Sequence, residues 1–574
     1  MKHIFRFIRP YKRLTVLALL FVILDVLGAL IIPTITADMI NVGVGNGDLD
    51  YIIEKGIWML IVTVLSGASA LMGSYLSAKL SAQIGRDMRN ALYEKSLDFS
   101  IHDFDQYGTG SMITRILSDV SVIQQAVVWC VTMVLPVPAL SLMGIAMAFS
   151  IDPSMGLVLG GGVVFVAFLT VFISRKAASV FGRLQRFLDR MNVVMRENIT
   201  GVRVIRAFNK ESYETKRMKK SFEDYAEAAV ETNLLFAGLD SFSFFAISVL
   251  VVAILWFGGN RIGAGTMEIG DITALTEYTI LILFYLMMAQ MVIILLPRAR
   301  VCLERIGEVL DREPEIQDGD EAEAENCIGE PAASFESVFF RFADADEDTL
   351  GNLTFTCRRG ETTAVIGGTG SGKSTIAKLL MRFYDADRGT VRVCGSDVKK
   401  MRQQDLRSCV SYVPQKAWLF SRTIEDNLRY GNPDASEEDM LHALSVAQAD
   451  FVTELPEGLS THTAQGGTNF SGGQKQRLSI ARALMKQADL YIFDDSFSAL
   501  DFKTDRALRK ALKEETKNAA VLIIAQRINT ILNADQIIVL NEGQIAGIGT
   551  HEELMEHCSV YQEIAKSQMR GGEN

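Results

Sequence analysis

Thr362-Thr363-Ala364-Val365-Ile366-Gly367-Gly368-Thr369-Gly370-Ser371-Gly372-Lys373-Ser374-Thr375 decides how the second half of this chain is to be read. A β-branched apolar run ends in a glycine-rich loop, and the loop opens a helix-patterned run, Ile376–Met381. That strand–loop–helix context separates a phosphate-binding P-loop from a plain glycine turn. Gly367, Gly368, Gly370 and Gly372 let backbone N–H groups turn inward around phosphate oxygens, with Thr369, Ser371 and Thr375 completing the loop. Lys373 supplies positive charge at the β and γ phosphates, and the Ser374 hydroxyl suits Mg2+. The expected ligand is ATP with Mg2+.

Downstream, Ala488-Asp489-Leu490-Tyr491-Ile492-Phe493-Asp494 has the pattern of a buried strand ending in a carboxylate, where a parallel sheet presents a Mg2+-side acid. Phe470-Ser471-Gly472-Gly473-Gln474 is a second anion-binding turn, placed ahead of a helix-patterned run, Gln476–Met485. One domain has little use for two phosphate cradles. The simplest use of the second is to cap an ATP held by another copy of the domain. From about Ala333 to the end at 574, short apolar strands alternate with helices, so 333–574 is expected to be an α/β P-loop ATPase domain. Residues 311–332 form an acidic linker.

Upstream the composition changes. The 574 residues are 49% hydrophobic and 22% charged overall, but the long apolar runs all lie in the first 300. A hydrocarbon core takes about 20 apolar residues in a helix. Six stretches approach that length: 14–35, 56–76, 127–149, 155–173, 234–257 and 272–296. Lys2, Arg6, Arg9, Lys12 and Arg13 precede the first, which puts the N-terminus inside the cell. The connections Asp38–Lys55, Asp152–Pro153 and Gly258–Asp271 then face outward. Two long charged connections, near 77–126 and 174–233, carry Arg86, Arg89, Lys95, Arg115, Arg175, Lys176, Arg183 and Arg203 and face inward. Helical arms there would reach into the cytoplasm and turn near 104–110 and 199–206. Residues 1–310 are thus expected to be an all-α, six-helix transmembrane domain with long cytoplasmic helical extensions, in a plasma membrane.

Net charge is −11 and no basic tract is interleaved with aromatics, so nucleic acid is not an expected partner. Seven cysteines are scattered without a CxxC pair, as for reduced thiols, and the N-terminus lacks the pattern of a cleavable signal peptide.

These motifs together resemble the ATP-binding-cassette exporters whose membrane and nucleotide-binding domains are fused in one half-transporter chain. The resemblance covers essentially the whole sequence. It includes the P-loop, Tyr412-Val413-Pro414-Gln415 as a Q-loop, the signature at 470–474 and Ser498-Ala499-Leu500-Asp501 as a D-loop. It implies that Phe342 stacks on adenine, that Gln415 joins Ser374 and Asp494 around Mg2+, and that Ser471 and Gly473 act in trans. Phe104-Asp105 with Gly108-Thr109-Gly110, and Gly201–Phe208, resemble the family's two coupling regions.

Two residues depart from the family pattern. Active members carry Glu after the Walker B Asp, to polarise the attacking water; here the residue is Asp495. Their switch histidine is here Gln526. Asp is one methylene shorter than Glu, and displacing a catalytic group by ~1 Å can cost ~10²-fold in rate. Gln can donate a hydrogen bond but cannot carry charge or relay a proton. Gln465, before the signature, replaces the family's usual Glu. The resemblance therefore implies the degenerate-site half of a heterodimeric bacterial multidrug exporter, paired with a second, non-identical half-transporter.

Cargo is weakly specified. Tyr278, Phe284, Tyr285, Met287, Met288, Gln290 and Met291 line the sixth span, a surface suited to small amphipathic substrates or simply to helix packing. Asp25 and Glu277 either attract cations or bond between helices. Lipid flipping, peptide export, and an ATP-gated channel or regulatory subunit are the alternatives.

Overall fold

The computed structural model describes residues 2–319 and 329–570. Residues 320–328 of the acidic linker 311–332, Cys327 among them, lie outside the described residues, as do the side chains of Lys2, Arg175, Lys176 and Met291. The chain forms two compact units, Met1–Asp98 with Tyr107–Glu313, and Phe99–Gln106 with Pro314–Asn574.

Among the described residues of the first unit, six helices are long and apolar enough to cross a membrane. Helix α1 (Lys12–Asp38) continues as a π turn to Val44, and α2 spans Leu49–Asp98. A short α3 (Ile101–Tyr107) falls almost wholly in the second unit, and α4 runs over Thr109–Ile151. Then come α5 (Pro153–Thr200), a short α6 (Val202–Ala207), α7 (Glu211–Gly263) and α8 (Ile269–Asp311). At ~1.5 Å per residue the 50-residue α2 is ~75 Å long, more than twice a ~30 Å hydrocarbon core. The expected helical extensions are therefore present.

Two connections are shorter than the sequence indicates. The Asp38–Lys55 connection contracts to Gly45–Asp48, because the π turn extends the first span and α2 restarts at Leu49. The loop expected over Gly258–Asp271 contracts likewise to Ala264–Glu268, where Glu268 and Asp271 form a reciprocal capping box. Pro297 does not end the last span, and α8 continues through it. Asp152 caps α5 by accepting from the N–H groups of Ser154 and Met155, which makes Asp152–Pro153 the tight turn that was expected.

Outward-facing side chains such as Leu71, Leu142, Phe168 and Trp256 are exposed, as suits a lipid solvent. Gly28 permits close approach of α1 and α2, since a Cβ there would lie 2.5 Å from Ser66 Cβ.

In the second unit, β1 (Ala333–Phe340), β2 (Leu350–Cys357), β4 (Arg388–Val393) and β5 (Ser396–Asp397) form an antiparallel sheet in the order β2-β1-β4-β5. The larger sheet holds β3 (Thr362–Gly367), β6 (Val410–Val413), β7 (Leu490–Asp494), β8 (Ala520–Ile524), β9 (Gln536–Asn541) and β10 (Gln544–Gly549), ordered β10-β9-β3-β8-β7-β6. All but β10 run parallel. Strands buried on both faces have near-continuous apolar sequences, and β7 and β8 are buried at every residue. Their side chains alternate between two cores: Ile492, Leu522 and Ile538 face one, Phe493, Ile523 and Ile537 the other.

Because β3, β8 and β7 are neighbours, the loops leaving their C-terminal ends converge. That is where an open parallel sheet presents a ligand site.

Candidate nucleotide site

The loop after β3 wraps into α9 (Lys373–Leu380) through Gly370 and Gly372, at φ +84° and +90°. A side chain at Gly372 would be strained by that backbone, and its Cβ would meet Leu350 Cδ2 at 2.5 Å. Lys373 is 8% exposed and folds back along the loop, donating to the carbonyls of Gly367 (3.0 Å) and Gly368 (2.6 Å). Burial lowers its pKa, against the raising influence of Asp495 and Asp494.

Asp494, 3% exposed, ends β7. Its Oδ1 accepts from Ser374 Oγ at 2.8 Å and its Oδ2 from Tyr412 OH at 3.4 Å. Burial raises the Asp494 pKa, opposed by these two hydroxyls. Burial likewise pushes the Tyr412 phenol up, reinforced by the Asp494 carboxylate. The sequence names Tyr412 only as part of the Q-loop, and its bond to Asp494 had no local signal. Ser374 and Asp494 form a hard oxygen donor pair of the kind Mg2+ takes, so the residues present fit that ion.

Asp495 sits in the left-handed region at φ +47°, where Asp is tolerated better than most side chains. Its N–H is fixed to the Ile524 carbonyl at 2.8 Å. A single oxygen of its carboxylate, Oδ2, accepts from both Gln526 Nε2 (2.9 Å) and Gln415 Nε2 (3.1 Å). The structure thus brings together Lys373, Ser374, Gln415, Asp494, Asp495 and Gln526.

Other predicted residues stand apart from this group. Asp501 caps the helix Phe502–Glu515, its Oδ1 accepting from Thr504 N and its Oδ2 from Thr504 Oγ1. Ser471 heads a helix, Gly472–Leu484, in a capping box with Gln474. Gly473 lies beside the D-loop, where an added Cβ would be 3.2 Å from the Ala499 carbonyl. Phe342 is half-buried, edge-on to Phe340 and Tyr384, with the Lys378 ammonium 5.5 Å from its ring centre.

The membrane region from 15 to 287 matches the ABC transporter transmembrane region, and residues 350–498 match the ABC transporter family. An uncharacterized ABC transporter ATP-binding protein of Mycobacterium tuberculosis (strain CDC 1551 / Oshkosh) is 38% identical over 98% of this chain and 97% of its own length. The chain belongs to the ABC transporter family. An uncharacterized ABC transporter ATP-binding protein of Bacillus subtilis (strain 168) is 33% identical over 98% of this chain and 97% of its own. An ATP-dependent lipid A-core flippase of Syntrophus aciditrophicus is 30% identical over 89% of this chain and 85% of its own. In fold, the chain matches the solved structure of a bacterial Atm1-family ABC exporter with ATP bound, with a TM-score of 0.83, 24% identity, and coverage of 97% of this chain and 98% of that one.

This ABC transporter is accordingly an ATP-hydrolysing membrane transporter. Its cassette binds ATP, and a half-transporter of this kind works as a dimer.

One further residue holds the site from behind. Gln568, on the C-terminal helix Ser559–Arg570, donates to the Gln526 carbonyl at 2.7 Å and accepts from Ile528 N at 2.8 Å. Nothing in the local sequence marks it, since the pairing joins segments about forty residues apart. Asp103 is fully buried and accepts from Ser100 N, Ser100 Oγ and Glu315 N. It ties the segment ahead of Phe104-Asp105, the pair the sequence singles out, to Glu315. The Ser100-x-x-Asp103 spacing is a capping signal that could have found it.

Proposed function

We propose that this chain is the degenerate-site half of a heterodimeric exporter that moves hydrophobic or amphipathic compounds outward. The observation that carries this reading is the Asp495 carboxylate, one of whose oxygens is shared by two neutral amides, Gln415 and Gln526. A general base has to reach the proton it removes. Asp495 is a methylene shorter than the family's Glu, and its Oδ2 is already engaged by two donors. Gln526 offers no ionisable proton. Nucleotide would be gripped by the P-loop amides and Lys373, with Ser374, Asp494 and Gln415 around Mg2+ and Phe342 against adenine. Mg2+, when bound, supplies charge neutralisation between the β and γ phosphates. Ser471 and Gly473 would cap the partner's ATP, beside its D-loop counterpart to Asp501.

Surface features support the dimer. The α6 tip leaves Val204 61% and Phe208 70% exposed. The cassette carries an uncovered cleft lined by Gln415, Trp418, Gln465 and Gly472. Two half-transporters can therefore exchange tip and cleft. Basic residues before the first span and along α2 favour a cytoplasmic N-terminus and cassette, in the plasma membrane.

The test compares ATP turnover by the purified chain alone with turnover by its complex with a partner half-transporter. Only the complex should turn over briskly, and Asp495→Glu with Gln526→His should raise its rate. Vigorous hydrolysis by a homodimer would refute the division of labour. The relative named as a lipid A-core flippase favours a lipid cargo as the second reading; lipid-stimulated ATPase without drug stimulation would select it.

A further inference from the structure

Among the described residues, one cluster of metal-ligating side chains stands outside the nucleotide site: Cys394, Cys409 and Asp489, whose ligand atoms all lie within 4.8 Å of one another. They come from three elements. Cys394 follows β4, Cys409 ends the helix Gln403–Cys409, and Asp489 immediately precedes β7. The backbone fixes them before any ligand arrives. Asp489 N–H donates to the Cys409 carbonyl at 2.9 Å, and Cys394 N–H to the Ala332 carbonyl at 3.0 Å. Cys394 Sγ is 3.6 Å from Asp489 Oδ2, close to the separation of two ligands on one tetrahedral ion.

A fourth residue completes the arrangement. Arg359 Nη1 donates to the other Asp489 oxygen, Oδ1, at 2.6 Å, while its Nη2 is 3.7 Å from Cys394 Sγ. Ligating carboxylates and thiolates are commonly oriented by such outer donors. Asp489 and Arg359 also line an open polar cleft with Asp439, His442 and Glu515, which gives an ion a way in.

We propose that Cys394, Cys409 and Asp489 bind a thiophilic divalent cation of the zinc type, with water in the fourth position and Arg359 as the outer-shell donor. The exchange balances. One dication enters as two thiol protons leave, so the charge of Arg359 and Asp489 stays compensated throughout. The bound ion would join the antiparallel sheet, through Cys394, to the parallel sheet, through Cys409 and Asp489.

The test uses the full-length transporter in nanodiscs, stripped by chelator and titrated with Cd2+ as an optical probe and with Zn2+ as competitor. One Cd2+ per chain should bind with a thiolate charge-transfer band that Zn2+ displaces. Cys394→Ser and Cys409→Ser should each abolish the band, and Arg359→Met should weaken binding by about 10- to 100-fold. In the wild-type protein, Zn2+ should also protect Cys394 and Cys409, but not the other cysteines, from alkylation followed by mass spectrometry. That readout needs no substituted protein to fold. Absence of the band, a band that survives in both serine variants, or a Cys394–Cys409 disulfide formed in air without metal uptake would each overturn the proposal.

Discussion

At the residue scale, two ionisable groups of the candidate site, Asp494 and Lys373, are displaced in opposite directions. Burial raises Asp494, and burial lowers Lys373. Asp494 would hold Mg2+ only in its ionised form, so nucleotide affinity should weaken as pH falls through the raised Asp494 value, above the ordinary aspartate pKa of ~3.9. Affinity should also weaken as pH rises through the lowered Lys373 value, below the ordinary lysine value of ~10.4. A fluorescent-nucleotide titration across pH should therefore give a bell narrowed at both limbs. Repeating it with chelator in place of Mg2+ should remove the acid limb alone, and an acid limb indifferent to Mg2+ would assign it to another group. The P-loop and Asp494 were legible in the sequence because spacing alone specifies them. Tyr412 was not, because its hydroxyl reaches Asp494 only once β6 and β7 pair side by side.

At the element scale, the C-terminal helix acts on the nucleotide site through Gln568. Each of its two bonds to the Gln526–Ile528 turn is worth about 0.5–1.5 kcal/mol. Gln568→Ala should speed hydrogen exchange at the Ile528 amide by roughly tenfold while leaving nucleotide affinity within twofold. Unchanged exchange would mean the turn is held by other contacts. Helices and strands with strong periodicity were legible to within a few residues, as Thr362–Ile366 against β3 illustrates. The ends of α1, α7 and α8 were not. The sequence locates where apolar composition stops, whereas a helix stops where its backbone groups find other partners, as at the Glu268–Asp271 box.

At the scale of the whole molecule, the two segments that resemble coupling regions are unlike. Residues Phe99–Gln106 group with this chain's own cassette unit, tied by Asp103 to Glu315. The α6 tip belongs to the membrane unit and has no buried residue. Charging that tip, for example by Phe208→Asp, should leave the protein folded and basal ATPase intact while removing substrate stimulation, measured in the assembled transporter. Full stimulation would exclude the tip as a coupling contact. Six spans and a fused cassette were legible from composition and motif order. That Phe99–Gln106 groups with the cassette was not, because that depends on contacts between residues far apart in the chain.

The Lys373 ammonium is bonded to the carbonyls of its own loop, those of Gly367 and Gly368. A buried cation abandoned by its anion would ordinarily strain the protein until a new counterion arrived. Two main-chain oxygens of the same loop hold the ammonium where burial would otherwise penalise its charge. An anion drawn to the loop has therefore to win the Lys373 N–H groups from the protein's own main chain.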